Sequence, residues 1–149
     1  MTAGTPSGFL VPQPDEDSGP FWDGCRAGEL RMQACASCGR HRFPPRPMCP
    51  WCRSTESSWN RMSGRGTIWS FVVAHPPLLP AYQELAPYNV VVVALDEDPT
   101  LRVVGNLLAT EEGTINETDP ATIRIGEPVR VVFQAVDGVA VPRWVRVEP

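Results

Sequence analysis

Lysine is absent: all 13 basic residues are arginine. Histidine occurs twice and aromatics make up only 8% of the chain. No apolar run approaches the ~20 residues of a membrane span. The opening Met-Thr-Ala-Gly-Thr-Pro has neither a basic stretch nor an apolar core of the kind that directs secretion, so the expected location is the cytoplasm. With His41 and His75 as the only imidazoles, no nucleophile–base pair, phosphate loop or open metal site assembles from motif, and no activity is expected of the chain alone. His75, at a strand end before Pro76-Pro77, is either structural or a catalytic imidazole whose orienting partner the sequence does not reveal.

What is present is cysteine in a pattern. Cys35-Ala-Ser-Cys38 and Cys49-Pro-Trp-Cys52 form two pairs, each with two residues between the thiols. Two such turns aim four thiolates at one tetrahedral Zn²⁺ and leave no position for water or substrate, which marks a structural site. A disulfide framework needs an oxidising compartment, and a redox dithiol uses one such pair. Gly39 follows the first pair and accepts positive φ freely. Arg53 occupies the equivalent place after the second, so that turn is expected to be the less regular one. Cys25, the fifth cysteine, reads as a small buried hydrophobe and not as a ligand.

Charge is unevenly spread. Residues 1–25 carry four acids and no arginine; residues 26–65 carry eight arginines and two glutamates; residues 66–149 carry five arginines and eleven acids. The basic excess therefore sits on the cysteine module, as a solvated face or as a surface for an anionic partner.

Residues 1–19 are rich in Pro, Ser, Gly and acids and read as an extended arm or linker. Pro20 to Gly28 reads as a short helix capped by Ser18 and stopped by Gly28. Phe21, Trp22 and Cys25 form its apolar stripe, with Trp22 either a core residue or an interface anchor. Leu30 to Ala34 alternates as a strand entering the first cysteine pair, and Pro44, Pro45 and Pro47 keep the connection between the pairs extended. Residues 20–62 are thus a helix and zinc ribbon. Residues 63–149 hold five or six strand-like runs, the last two joined by the hairpin dipeptide Asp137-Gly138. The expected fold is mainly β: arm, short helix, zinc ribbon, then a five- to six-stranded OB-fold barrel, with Gly64 and Gly66 at a barrel corner.

The stretch from His75 to Tyr88 is long for a barrel loop. Pro76, Pro77, Pro80 and Pro87 stiffen it, while Leu78, Leu79, Tyr82 and Tyr88 offer apolar anchors for a partner or a lid over the barrel mouth. A ribbon joined to an OB-fold also invites a nucleic-acid reading, but the acidic barrel half opposes it, and Trp69, Phe71 and Phe133 lie in runs that suit a packed core.

Pro20-Phe-Trp-Asp-Gly, the segment from Gly28 to Cys49, Gly66 to His75 and Ile123 to Val131 stand in the order seen in thiolase-associated proteins with a rubredoxin-like zinc ribbon and an acyl-CoA-associated OB-fold. The chain resembles that family over about residues 9 to 147. The resemblance implies a noncatalytic subunit that docks on a thiolase-superfamily enzyme and supports its CoA-thioester site. Within the family the chain looks most like the partner domain of the thiolase-like aldol lyase of bacterial steroid side-chain degradation, often the C-terminal part of a hydratase-related protein. Cys35, Cys38, Cys49 and Cys52 would then hold structural Zn²⁺. Phe21, Trp22, Leu78, Leu79, Tyr82 and Tyr88 would meet a partner dimer, with acyl-CoA near the interface and neither nucleic acid nor membrane involved.

Overall fold

The computed structural model of the chain describes residues 8–148, so the first seven residues of the expected arm lie outside the described part. Residues 8–14 form no helix or strand. Helix α1 spans Gly19–Arg26. Its entry differs from the capping expected of Ser18. The Ser18 carbonyl accepts from Trp22 N–H at 3.2 Å, but the hydroxyl turns to Asp15 Oδ1 at 2.8 Å, and Gly19 N–H is taken by the Asp15 carbonyl. Three residues of turn, Glu16 to Ser18, thus precede the helix. At its end, Gly28 at φ 77° lets the N–H groups of Gly28 and Glu29 close on the carbonyls of Cys25 and Gly24, ending the helix where expected.

The ribbon is a three-stranded sheet in the order β2-β1-β3, formed by β1 (Arg31–Cys35), β2 (His41–Arg42) and β3 (Ser57–Arg61). Both pairings are antiparallel. The short β2 was not legible because it lies against a proline run that stops it after two residues.

The second sheet has six strands: β4 (Arg65–Ala74), β5 (Tyr88–Leu95), β6 (Arg102–Gly105), β7 (Leu107–Leu108), β8 (Pro128–Val136) and β9 (Val139–Arg146). Their order is β6-β5-β4-β8-β9-β7. Since β6 runs into β7 across Asn106 alone, the two ends of that order are one nearly continuous strand, and its parallel pairing to β9 closes the OB-fold barrel. A buried side-chain clasp holds the break: Asn89 donates to the Leu107 carbonyl at 2.9 Å and accepts from Leu107 N–H at 2.6 Å, while Asn106 donates to the Asn89 carbonyl. Asp137 and Gly138 both take positive φ, as a two-residue β-hairpin turn requires. At Gly66, a Cβ would stand 2.4 Å from the Ala94 carbonyl, so β4 and β5 approach as closely as they do only because that residue is glycine.

Trp69 corrects the core assignment. Along β4 Gly66 and Ile68 face inward, so strand alternation turns the Trp69 ring outward, leaving it 50% exposed beneath the Arg102 guanidinium at 3.7 Å. Phe71 and Phe133 are half-buried against the core.

One core joins the parts. Phe21 and Cys25 from α1, Leu30, Met32 and Met62 from the ribbon, and Ile68, Val91, Leu101, Leu107 and Trp144 from the barrel form a single buried cluster. Apolar burial of about 25 cal/mol per Å² is thereby shared between modules, so α1 stabilises the junction. Burial pushes the Cys25 thiol up to about 12, in keeping with a packing role. No described helix is long and apolar enough to cross a membrane.

Candidate metal centre and docking surface

Cys35 ends β1, Cys38 lies in the turn after it, and Cys49 and Cys52 belong to the second turn, which β3 follows. The two turns are built alike. Gly39 N–H donates to the Cys35 carbonyl at 2.9 Å, and Arg53 N–H donates to the Cys49 carbonyl at 2.9 Å. Cys35 N–H reaches the Arg40 carbonyl as Cys49 N–H reaches that of Ser54. Ser37 and Ser54 join the turns through their hydroxyls at 2.9 Å. Arg53 adopts φ 66° against 77° for Gly39, so the second turn is as regular as the first. The difference is energetic: a side chain in the left-handed region costs about 1–2 kcal/mol.

The four Sγ atoms lie within 4.8 Å of one another, with Cys35–Cys52 at 3.4 Å and Cys38–Cys49 at 3.7 Å. A tetrahedral ion with metal–sulfur bonds of about 2.3 Å requires sulfurs about 3.8 Å apart, so the set fits a metal, and four thiolates suit a soft one. Thiol chemistry agrees. The Cys38 N–H holds the Cys35 thiol down to about 6. At Cys49 desolvation works upward and is outweighed by the N–H groups of Cys52 and Trp51. The Ser54 N–H lowers the Cys52 thiol, but the neighbouring Cys35 thiol, desolvation and the thiols of Cys49 and Cys38 together outweigh it and push it up to about 11. Four thiolates cannot share this space without a cation.

The expected docking residues fare differently. Phe21 is 4% exposed and belongs to the core, which removes it from any outer surface; its ring is held edge-on by Trp22 at 4.9 Å and tilted against Phe43 at 5.3 Å. Trp22 is half-buried. The Pro-rich stretch contains a turn of helix, α2 (Pro80–Gln83), entered by a bond from Leu78 N–H to Gln83 Oε1 at 2.8 Å. Tyr82, Leu85 and Tyr88 pack on a second small core of Leu108, Ile115, Val132 and Val145. The loop therefore lies on the barrel and leaves Leu79 55% exposed.

The arm completes this region. Phe9 stacks on Tyr82 at 4.8 Å, and Leu10 N–H donates to the Tyr82 hydroxyl at 3.1 Å. Beneath them is a largely apolar cavity of about 380 Å³ whose lining includes Trp22, Tyr88, Val104 and Arg143. Reasoning from sequence found no role for Phe9 or Arg143; their approach depends on barrel closure, which no local pattern records. Of the histidines, His41 Nε2 bonds Asn60 at 3.0 Å and His75 is exposed.

The family model of the ChsH2 C-terminal OB-fold domain matches residues 59–134, and that of the ChsH2 rubredoxin-like zinc ribbon domain matches residues 22–57. The chain belongs to the ChsH2 zinc-ribbon and OB-fold family. Its four cysteines are accordingly the metal site of the ribbon domain. Among ChsH2-like relatives, the 3-oxo-4,17-pregnadiene-20-carboxyl-CoA hydratase alpha subunit of Mycobacterium tuberculosis is 36% identical over 128 residues, covering 86% of this chain and 37% of the relative. A probable enoyl-CoA hydratase alpha subunit of Thermomonospora curvata is 34% identical, covering 80% and 34%. The chain thus spans about a third of the length of these two relatives. A DUF35 domain-containing scaffold protein of Methanothermobacter thermautotrophicus is 34% identical, with 72% of this chain and 73% of that one covered. Among solved structures, a chain of the Ltp2-ChsH2(DUF35) aldolase superposes with a TM-score of 0.78 at 31% identity, covering 91% of this chain and 98% of that chain.

Proposed function

We propose that this chain is a noncatalytic accessory subunit that docks on a thiolase-superfamily enzyme acting on an acyl-CoA thioester, a retro-aldolase of steroid side-chain degradation. The observation that carries the proposal is the near end-to-end likeness to a ChsH2 chain from an aldolase, at 31% identity. The two hydratase alpha subunits add that related domains occur in proteins named for CoA thioesters. The cysteine set bears on the division of labour, since four thiolates around one Zn²⁺ give a closed, structural site and leave catalysis to the partner.

The docking face comprises Trp22, Leu78, Leu79, Tyr82 and Tyr88. Phe21 supports it from the core by fixing Trp22. A hetero-oligomer forms on the partner's dimer, in the cytoplasm, with acyl-CoA at or near the interface. Purification at native abundance tests this reading. The expected result is a thiolase-like enzyme in the same fraction, with retro-aldol cleavage of an acyl-CoA by the complex and none by the isolated chain. Lyase activity of the chain alone, or nucleic acid in place of an enzyme, refutes it.

A further inference from the structure

Arg42 is the most deeply buried cation of the chain's ribbon. Only 4% of it is exposed. Its Nη2 donates to the Arg46 carbonyl at 2.9 Å, while Nε and Nη1 are buried without a hydrogen-bond partner among the described residues. It makes no ion pair there either: the carboxylate partners of the ribbon go to Arg31 and Arg61, both through Glu29. A buried guanidinium with two idle donors and no counter-charge is costly, and native proteins keep such a group where something completes it.

The surroundings show what would. Arg42 lines a cleft of about 210 Å³ between the ribbon and the turn joining β5 to β6, with Arg46, Phe43, Trp51, Thr100 and Leu101. Arg40 stands at 5.3 Å over the Trp51 ring, on the rim shared with the adjoining cleft. Asp98, on that same rim, is already engaged by Thr100 Oγ1 at 2.6 Å and Thr100 N–H at 3.0 Å. Arg42 and Arg46 in the cleft and Arg40 on its rim, none with a carboxylate partner among the described residues, thus meet a half-exposed indole face. Guanidinium groups match the oxygens of oxyanions, phosphate among them, with their planar donors, and an aromatic face beside them accepts a flat organic group.

We propose that this cleft binds an oxyanion, built for a phosphate ester whose phosphate lies against Arg46 over the uncompensated charge of the buried Arg42 and whose organic part lies on Trp51. The site belongs to the isolated chain and does not depend on the docking reading above.

The test uses the full, zinc-loaded chain with inorganic phosphate and with phenyl phosphate, against sodium chloride at matched ionic strength. Expected are saturable shifts of the Arg42 and Arg46 Nε–H resonances in ¹⁵N spectra, and tighter binding of phenyl phosphate with quenching of Trp51. Arg42→Met should weaken phosphate binding about tenfold or more, the loss of the buried positive charge that the anion neutralises. Arg46→Gln, at an exposed position that leaves folding intact, should weaken it too, and Trp51→Ala should abolish the advantage of the phenyl ester. The proposal fails if phosphate does no more than chloride, or if both arginine variants bind like the parent. It also fails if Arg42→Met releases zinc while the parent ignores phosphate, for the guanidinium is then the counter-charge of the metal thiolates.

Discussion

Replacing Arg53 by glycine should stabilise this protein, and replacing Gly39 by alanine should destabilise it by a similar amount. The two residues hold equivalent places in the two metal turns, at φ 66° and 77°, with matching hydrogen bonds of 2.9 Å to the first cysteine of each pair. Arg53 therefore bears a left-handed penalty of about 1–2 kcal/mol. Glycine removes it and returns about 0.5–1 kcal/mol to the unfolded chain's entropy, so the expected gain is about 0.5–1 kcal/mol. At Gly39 a Cβ would have no atom within 4 Å, so Gly39→Ala meets no clash and isolates the same backbone effect with the opposite sign. For a chain of this size the shifts in midpoint are about 1–4 °C. The assay is thermal unfolding of zinc-loaded protein followed by circular dichroism, with metal content measured in parallel and expected to stay at one ion per chain. Lower stability for Arg53→Gly, or an unchanged midpoint for Gly39→Ala, refutes the argument that the turns are equivalent.

Cys35→Ser should lose the ion and unfold the ribbon, whereas Cys25→Ser should keep one Zn²⁺ per chain, both read by metal analysis of protein purified without chelator. Because the folded Cys25 thiol is raised from 9.0 to about 12, the native chain binds a proton there that the unfolded chain releases above pH 9; its contribution is complete below pH 9 and falls as pH rises toward 12, which pH-dependent unfolding of the metal-loaded protein will show. Tyr82→Phe keeps the ring stack with Phe9 but removes the acceptor of Leu10 N–H, so hydrogen exchange at Leu10 should quicken about fivefold, the worth of one exposed hydrogen bond. Leu79→Asp, at an exposed position, should change stability by no more than about 0.5 kcal/mol while sharply reducing recovery of the partner enzyme in a pull-down; full recovery would move the docking face elsewhere.

The metal site was legible because its information is local: ligand type and a spacing of two residues define each turn, whatever the remainder of the chain does. The same holds for the Asp137-Gly138 hairpin, the Gly28 helix stop and the alternation of the long strands, each a property of a few consecutive residues. Barrel strands of this kind, following a ribbon, also determined the OB-fold class. Tertiary structure decided the rest. Phe21 and Trp22 are neighbours on one helix, and only the angle at which α1 meets the ribbon and barrel sends the first into the core and leaves the second half-buried. Trp69 faces outward by the same alternation that sends Ile68 inward, and only closure of the barrel decides which of the two faces is the core. The Asn89–Asn106 clasp and the seating of Phe9 on Tyr82 join residues 17 and 73 positions apart, and the ion pairing that Arg42 lacks is a fact about every element packed around it. Sequence by itself determined the metal turns and the strand content, since those depend on near neighbours; burial, exposure and the company each charge keeps depend on chain segments far apart, which only folding brings together.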